Sequence, residues 1–168
     1  MTERQWLDEY SDQSTAELLA LEATHRVDSL VLAFEAAIQR RVEEAGLESL
    51  SDVECFILVI EALEREVNNG GYAPFFVNES AIFTPVILDA LAAIGAGKTH
   101  QITADALTAL GLGETPDIAV MVNSFESPNP PRDQALETCD GRYFESGEDI
   151  AALLFSYIKS HSEDVRLP

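Results

Sequence analysis

The chain has 168 residues, and 46% of them are apolar, which is enough for one compact core without disulfides or metal ions. Thirty acidic residues stand against ten basic ones, so the formal net charge is −20. This charge excludes DNA and anionic membranes as direct partners, because both are polyanions, and it favours a basic partner.

The sequence lacks the patterns that direct a chain to a membrane or anchor it there. No stretch approaches the roughly 20 uninterrupted apolar residues of a membrane-spanning helix, and the acidic N-terminus does not match a signal peptide. Cys55 lies in an apolar run and Cys139 in a polar one, which indicates reduced thiols rather than a disulfide. We therefore expect a cytoplasmic protein.

The first periodic segment runs from Ser14 to about Glu44 and ends at Gly46. Its apolar residues recur at the spacing of an amphipathic helix, along the stripe Ala20, Ala23, Val27, Val31, Phe34, Ile38 and Val42. The segment is long for one helix of a globular protein, so the pattern predicts a break near Asp28-Ser29.

A second helix begins at a capping box, in which Ser51 and Glu54 satisfy each other's free backbone N–H groups. Apolar residues cover most of its surface as far as Val67, which predicts a central helix contacted on several sides. The sequence Asn-Asn-Gly-Gly at 68–71 predicts its end and is followed by a short aromatic loop.

Three more helices are predicted further along the chain, at 84–94, 99–110 and 150–161. Residues 112–145 have the least regular pattern, and the prolines at 128, 130 and 131 predict an irregular loop there. No strand pairs are evident. The sequence therefore predicts an all-α fold in a single acidic domain over residues 1–168.

Most signatures of enzymes are absent from the sequence, including phosphate-binding glycine loops, zinc-protease motifs and nucleophile elbows. The most distinctive segment carries acids, amides, paired glycines and aromatic residues at the end of the second helix. Its candidate residues for a pocket are Glu64, Glu66, Asn68, Asn69, Gly70, Gly71, Tyr72, Phe76 and Asn78.

This segment has two interpretations. The amides and aromatic residues could line a small-ligand or enzymatic site. Alternatively, the amides bond the local backbone while Tyr72 and Phe76 fold back onto the core. Glu64 falls on the apolar side of its helix, where a carboxylate needs a partner or a raised pKa. No metal or cofactor is expected.

The acids form a DNA-like surface only if they are concentrated on one face. Spread evenly over roughly 8,000 Å², thirty acids give about one per 270 Å², whereas duplex DNA carries roughly one charge per 100 Å². Within the long helix, Glu17, Asp28 and Glu35 fall on one side and form a row beside the apolar stripe, which a solvated face explains equally well. The candidate acidic face consists of Glu3, Asp8, Glu9, Asp12, Glu17, Asp28, Glu35, Glu43 and Glu44.

Three segments together resemble a bacterial family that includes a neisserial DNA-mimic protein. They are Glu66 to Asn78 with its Asn-Asn-Gly-Gly-Tyr core, Leu88 to Ala96, and Asp140 to Phe144 with the helix that follows. The resemblance covers about residues 50–168. It implies an all-helical domain and a protein that presents DNA-like negative charge to a DNA-binding protein. It implies no catalytic residues.

The leading hypothesis is a non-enzymatic acidic protein that occupies the DNA-binding surface of a basic partner such as a transcriptional regulator. One alternative is a small-ligand or enzymatic site around the Asn-Asn-Gly-Gly segment. Another is a general interaction domain, of the immunity type or a homodimer, whose acidity serves only solubility.

Overall fold

A computed structural model describes residues 3–113 and 115–167. These residues form nine α-helices and four 3₁₀ helices, and their only β-pairing is an isolated parallel bridge between Gln5 and His25. The predicted all-α fold class is confirmed. Within the described ranges, no helix combines the length and the apolar character that crossing a membrane requires.

The chain divides into two compact units. Unit 1 comprises residues 1–61 and 149–168, and unit 2 comprises residues 62–148. The prediction that the whole chain is one domain stays a prediction.

Unit 1 is a small helical assembly in which helices from both ends of the chain pack together. Helix α2 packs against α9, and Leu30, Phe34 and Ile38 are fully buried on α2 at a helical spacing of four residues. Leu154 and Ile158 are fully buried on α9. Its elements are α1 (Thr15–Ala20), a 3₁₀ helix (Leu21–Ala23), α2 (Val27–Ala45), a 3₁₀ helix (Leu47–Ser49), the start of α3 (Asp52–Gly70), α9 (Ile150–Ser160) and a 3₁₀ helix (Ser162–Asp164).

The long N-terminal helix is interrupted at residues 24–26, a few residues before the predicted break at Asp28-Ser29. The Gln5 N–H donates to the Thr24 carbonyl (2.8 Å), and the Arg26 N–H donates to the Gln5 carbonyl (2.8 Å). Because these groups bond the N-terminal segment, they are not available to a helix. The predicted position was wrong by a few residues because the competing backbone groups of Gln5 are distant in sequence.

Unit 2 is built around the aromatic residues that follow α3. Phe75, Phe76, Ile87 and Leu91 are fully buried in it, and burying each such side chain contributes about 1.5–3 kcal/mol. Its elements are the end of α3, α4 (Tyr72–Val77), a 3₁₀ helix (Glu79–Val86), α5 (Ile87–Ala93), α6 (Gly97–Ala109), α7 (Ile118–Ser124) and α8 (Pro130–Glu145).

The irregular loop predicted over 112–145 is wrong for most of its length, because α7 and α8 occupy much of it. Pro130 and Pro131 stand in the first turn of α8, where the missing N–H groups cost no helical bond. The Asn129 side chain caps this helix by accepting the Arg132 N–H (3.1 Å). The prolines therefore begin a helix rather than prevent one.

Two other boundaries also differ from the prediction. The expected aromatic loop is the short helix α4, and the helix predicted at 84–94 is a 3₁₀ helix up to Val86 followed by α5. Pro85 lies inside the 3₁₀ segment. The C-terminal helix is confirmed as α9, and the Asp149 side chain caps it by accepting the Ala152 N–H (3.0 Å).

Helix α6 is capped by a carboxylate from the other end of unit 2. The Thr99 N–H donates to one oxygen of Glu148 (2.7 Å), and the Lys98 N–H donates to the other (3.2 Å). Burial alone raises the pKa of Glu148, but these hydrogen bonds and the Lys98 charge outweigh it and lower the pKa from 4.5. The ionised carboxylate is therefore the form that stabilises unit 2.

We expect Glu148 to make unit 2 sensitive to acid. Because its pKa is lower in the folded chain, its contribution is complete above pH 4.5 and is lost as the pH falls through the folded pKa. A Glu148→Gln variant should be less stable by about 1 kcal/mol at pH 7, and the gap should narrow below pH 4.5. Urea unfolding followed by circular dichroism between pH 3 and 7 measures this, and a constant gap would contradict it.

Candidate functional site

The amides of the distinctive motif lie on the surface rather than around a cavity. Asn68 and Asn69 are exposed in the last turn of α3, and the Asn68 side chain donates to the Glu64 carbonyl (2.6 Å). Asn78 is exposed after α4 and donates to the carboxylate of Glu66 (2.9 Å). These bonds tie the side chains of Asn68 and Asn78 to α3.

The two glycines of the motif have different roles. Gly70 ends α3 in helical conformation, whereas Gly71 has φ +86°, a region that side chains rarely adopt. A Cβ atom on Gly71 would lie 2.3 Å from an Asp140 carboxylate oxygen. The other oxygen of Asp140 accepts the Tyr72 N–H (2.7 Å) and so satisfies the N-terminus of α4. Only glycine allows the carboxylate to approach this closely.

Asp140 is the partner that sequence reasoning missed. Asp140 belongs to one of the segments that carry the family resemblance. It follows Tyr72 by 68 residues, and nothing in the sequence indicates that Asp140 and Tyr72 meet. Burial raises the pKa of Asp140, the Tyr72 N–H opposes this shift, and Glu137 adds to it. The contact between the two family segments is therefore structural.

The aromatic residues of the motif are fully buried. The rings of Tyr72 and Phe76 stack at 6.2 Å, and Tyr143 meets Tyr72 edge-on at 6.1 Å. The Tyr72 hydroxyl bonds the Thr103 hydroxyl (2.8 Å), and burial raises the Tyr72 pKa far above its ordinary value. This hydroxyl is unsuited to exchange protons with a substrate.

The nine motif residues differ widely in exposure. Glu64 and Glu66 are half-buried, Tyr72 and Phe76 are buried, and the amides are exposed. Two cavities open on unit 2, and neither is lined by a motif residue. One of about 450 Å³ is lined by Leu88, Ala104, Leu107, Thr108 and Gly113, and one of about 390 Å³ by Lys98, Gln101, Ile102, Arg142, Glu145 and Ser146. Across residues 3–113 and 115–167, no group of three or more His, Cys, Asp or Glu residues could hold a metal ion.

Four of the nine acids of the candidate face interact with two arginines. Asp28 forms an ion pair with Arg26 (2.6 Å), and Glu3 also acts on this guanidinium. Asp12 pairs with Arg40, which Glu44 also approaches. These arginines offset part of the charge, so the N-terminal acids are less available to a partner than their number suggests.

The predicted row of Glu17, Asp28 and Glu35 is wrong. The interruption at residues 24–26 separates Glu17 from the other two, and Glu17 is used in a capping box with Ser14. Glu35 is buried, with 5% of its surface exposed, and accepts a hydrogen bond from Gln39 (3.0 Å). Asp8, Glu9 and Glu43 are exposed.

One buried carboxylate organises a different acidic region of unit 1. Glu54 is fully buried and accepts hydrogen bonds from Arg41 (2.7 Å), the Arg166 N–H (2.7 Å) and the Ser51 N–H (2.9 Å). The predicted capping box is confirmed, since the Glu54 N–H donates to the Ser51 hydroxyl (3.1 Å). Arg41 also donates to the Ser49 carbonyl (2.5 Å). The end of α2, the start of α3 and the C-terminal segment therefore meet here.

We name the acids on these converging segments the acidic junction. It consists of five exposed acids, Glu43, Glu48, Asp52, Glu163 and Asp164. Within the described residues, none of these five forms an ion pair. Of these five acids, the sequence analysis placed only Glu43 in the candidate acidic face. The Ser51 hydroxyl donates to the Asp164 carbonyl (2.7 Å) across 113 residues, a contact that spacing cannot indicate.

The net charge is shared by the two units. Unit 1 has 17 acids against 6 bases, a net charge of −11, and unit 2 has 13 acids against 4 bases, a net charge of −9. Neither unit alone carries the acidity.

A family model described as DMP19-like protein matches residues 48–161. No curated protein and no solved structure matches the chain significantly. The matched region includes the Glu54 capping box, the Asn-Asn-Gly-Gly motif and Asp140.

A pair of glycine variants tests the structural role of the motif. Gly71→Ala should destabilise the protein by about 2 kcal/mol or more, because it combines backbone strain with a clash at Asp140. Gly141→Ala is the matched control in the interior of α8, where a Cβ meets nothing within 4 Å. It should stabilise the protein by about 0.5–1 kcal/mol. Urea unfolding measures both, and equal stability of the two variants would contradict the assignment.

We expect the removal of the buried Glu54 carboxylate to be far more costly than the removal of an exposed one. Glu54→Ala leaves Arg41 and two backbone N–H groups without their acceptor, and should lower the free energy of unfolding by about 3 kcal/mol or more. Glu22→Ala breaks the exposed pair with Lys159 and should cost less than about 1 kcal/mol. Similar losses in the two variants, measured in urea, would refute the central role of Glu54.

Proposed function

The chain belongs to the DMP19-like protein family, and from this membership and its surface charge we propose that it is an acidic binding protein that occupies the DNA-binding surface of a basic partner. The family that the sequence resembles includes a DNA-mimic protein. A transcriptional regulator fits this role as partner, and the proposed setting is the cytoplasm. The free thiols of Cys55 and Cys139 agree with a reducing compartment.

The observation that carries the proposal is the acidic junction. Its five exposed carboxylates have no ion pair within the described residues, whereas Arg26, Arg40, Arg132, Arg142 and Lys159 are each engaged by an acid. A basic surface that neutralises the junction displaces only solvent and counterions, with no internal ion pair to break. Binding of this kind is fast and sensitive to salt.

The proposed role is non-enzymatic. Exposed acids suffice for it, and the Asn-Asn-Gly-Gly motif takes part only by fixing the fold through Gly71 and Asp140. The buried Tyr72 and Phe76 support a structural function for this segment.

The test begins with capture of partners on the immobilised full-length protein. We expect a basic DNA-binding protein that is retained at low salt and released both by high salt and by competing duplex DNA. Salt screens the attraction between the acids and the basic partner, and duplex DNA competes for the partner's basic surface. Recovery of no basic partner, or of one whose binding ignores salt and DNA, would overturn the proposal.

Matched charge variants then test the position of the surface. The triple variant Glu43→Gln, Glu48→Gln, Glu163→Gln neutralises part of the acidic junction, whereas Glu79→Gln, Glu126→Gln, Glu137→Gln neutralises three exposed acids of unit 2. Both change the net charge from −20 to −17. The junction variant should bind the captured partner about tenfold more weakly and the control less than about twofold. Equal losses would show that total charge governs the interaction and would favour the general interaction domain.

A further inference from the structure

Three rings meet at the end of α9, beside the acidic junction. Phe56 lies in the second turn of α3, and its ring centroid is 6.4 Å from that of Tyr157 on α9. The ring of His161, one turn after Tyr157, lies 4.2 Å from the Tyr157 ring with a tilt of 35°. Phe56 and Tyr157 are half-buried and His161 is exposed, so the cluster borders solvent.

Two exposed carboxylates stand on the segments that adjoin these rings. Asp52 precedes Phe56 by one helical turn on α3, and Asp164 is joined to the start of α3 by the bond from the Ser51 hydroxyl (2.7 Å). Burial raises the pKa of Tyr157, and the charges of Asp52 and then Asp164 raise it further. Both carboxylates therefore act on the same tyrosine, although they come from opposite ends of the sequence.

Aromatic rings and carboxylates attract the same kind of ligand for different reasons. The negative face of a ring attracts a cation, and a carboxylate accepts its N–H donors. A guanidinium fits both, because it is planar, stacks on rings and presents its donors in a fork. An ammonium group satisfies the carboxylates but does not stack as a plane.

We infer that Asp52, Phe56, Tyr157, His161 and Asp164 form a binding site for an arginine side chain of the basic partner. We name these residues the arginine site. The inference rests on the proposed function and deepens it, because it assigns one specific contact within a surface that otherwise attracts by charge alone. Two of its residues, Asp52 and Asp164, belong to the acidic junction.

The inference is tested with a hexa-arginine peptide as the probe and with the full chain. Titration at low salt, followed by aromatic ¹H–¹³C NMR, should shift the ring signals of Tyr157 and His161 as the peptide binds. Tyr157→Leu keeps the net charge and should weaken binding by about threefold, the amount expected from one exposed cation–π contact. Phe144→Leu is the matched control, since Phe144 is an exposed aromatic residue of unit 2 (59%), and it should leave the affinity unchanged.

A second pair of variants and a second peptide complete the test. His161→Ala changes an exposed ring and should weaken binding as well, which keeps the test valid if Tyr157→Leu unfolds. Asp164→Asn should weaken binding more than Asp89→Asn, an equal change of charge at an exposed acid of unit 2. Hexa-lysine should bind more weakly than hexa-arginine and lose less affinity on Tyr157→Leu.

The outcomes separate this inference from the proposed function. Unmoved ring signals at saturation, or affinities of Tyr157→Leu and His161→Ala equal to that of the unchanged chain, would overturn the arginine site. Equal binding of the two peptides would overturn the preference for guanidinium. If a DNA-binding protein is captured and binds the Tyr157→Leu variant as well as the unchanged chain, the proposed function stands without the arginine site. If the ring signals shift with the peptide but no DNA-binding partner is captured, only the arginine site stands.

Discussion

The buried carboxylate of Glu54 is the interaction on which unit 1 depends. A carboxylate without water is stable only when its oxygens are fully engaged. Glu54 meets this condition with Arg41 from α2, the Ser51 N–H at the start of α3 and the Arg166 N–H of the C-terminal segment. The same bonds that neutralise the buried charge fix where these three segments meet, and so they place the exposed acids of the junction.

Asp140 has the corresponding role in unit 2. Its carboxylate reaches the N-terminus of α4, and the approach is possible because residue 71 has no side chain. Glu148 likewise caps α6 from a position about fifty residues away. Carboxylates in this protein therefore have two uses. Glu54, Asp140 and Glu148 hold segments of the fold together, while the exposed acids of the junction form no ion pair within the described residues.

This division changes how the net charge is understood. The two units share the charge almost evenly, and arginines offset part of it at Arg26 and Arg40. A surface that imitates DNA therefore depends on which carboxylates lack an internal partner rather than on the total of thirty. The proposed arginine site would add to this unpaired charge a means of recognising one type of basic side chain.

Local patterns were enough to predict the all-α class, the capping box at Ser51 and Glu54 and the final helix α9, since each depends on neighbours within one or two turns. It also indicated the family through the Asn-Asn-Gly-Gly motif and the segment that contains Asp140. Local reasoning was wrong where a distant group competes for the backbone, as Gln5 does at residues 24–26, and at Pro130, where the prolines begin α8. The burial of Glu35, the approach of Asp140 to Gly71, and the effect of Asp52 and Asp164 on Tyr157 became visible only in the folded chain. The physical reason is that periodicity specifies which face of a helix a residue occupies, but the availability of a carboxylate depends on side chains brought to it from elsewhere in the chain.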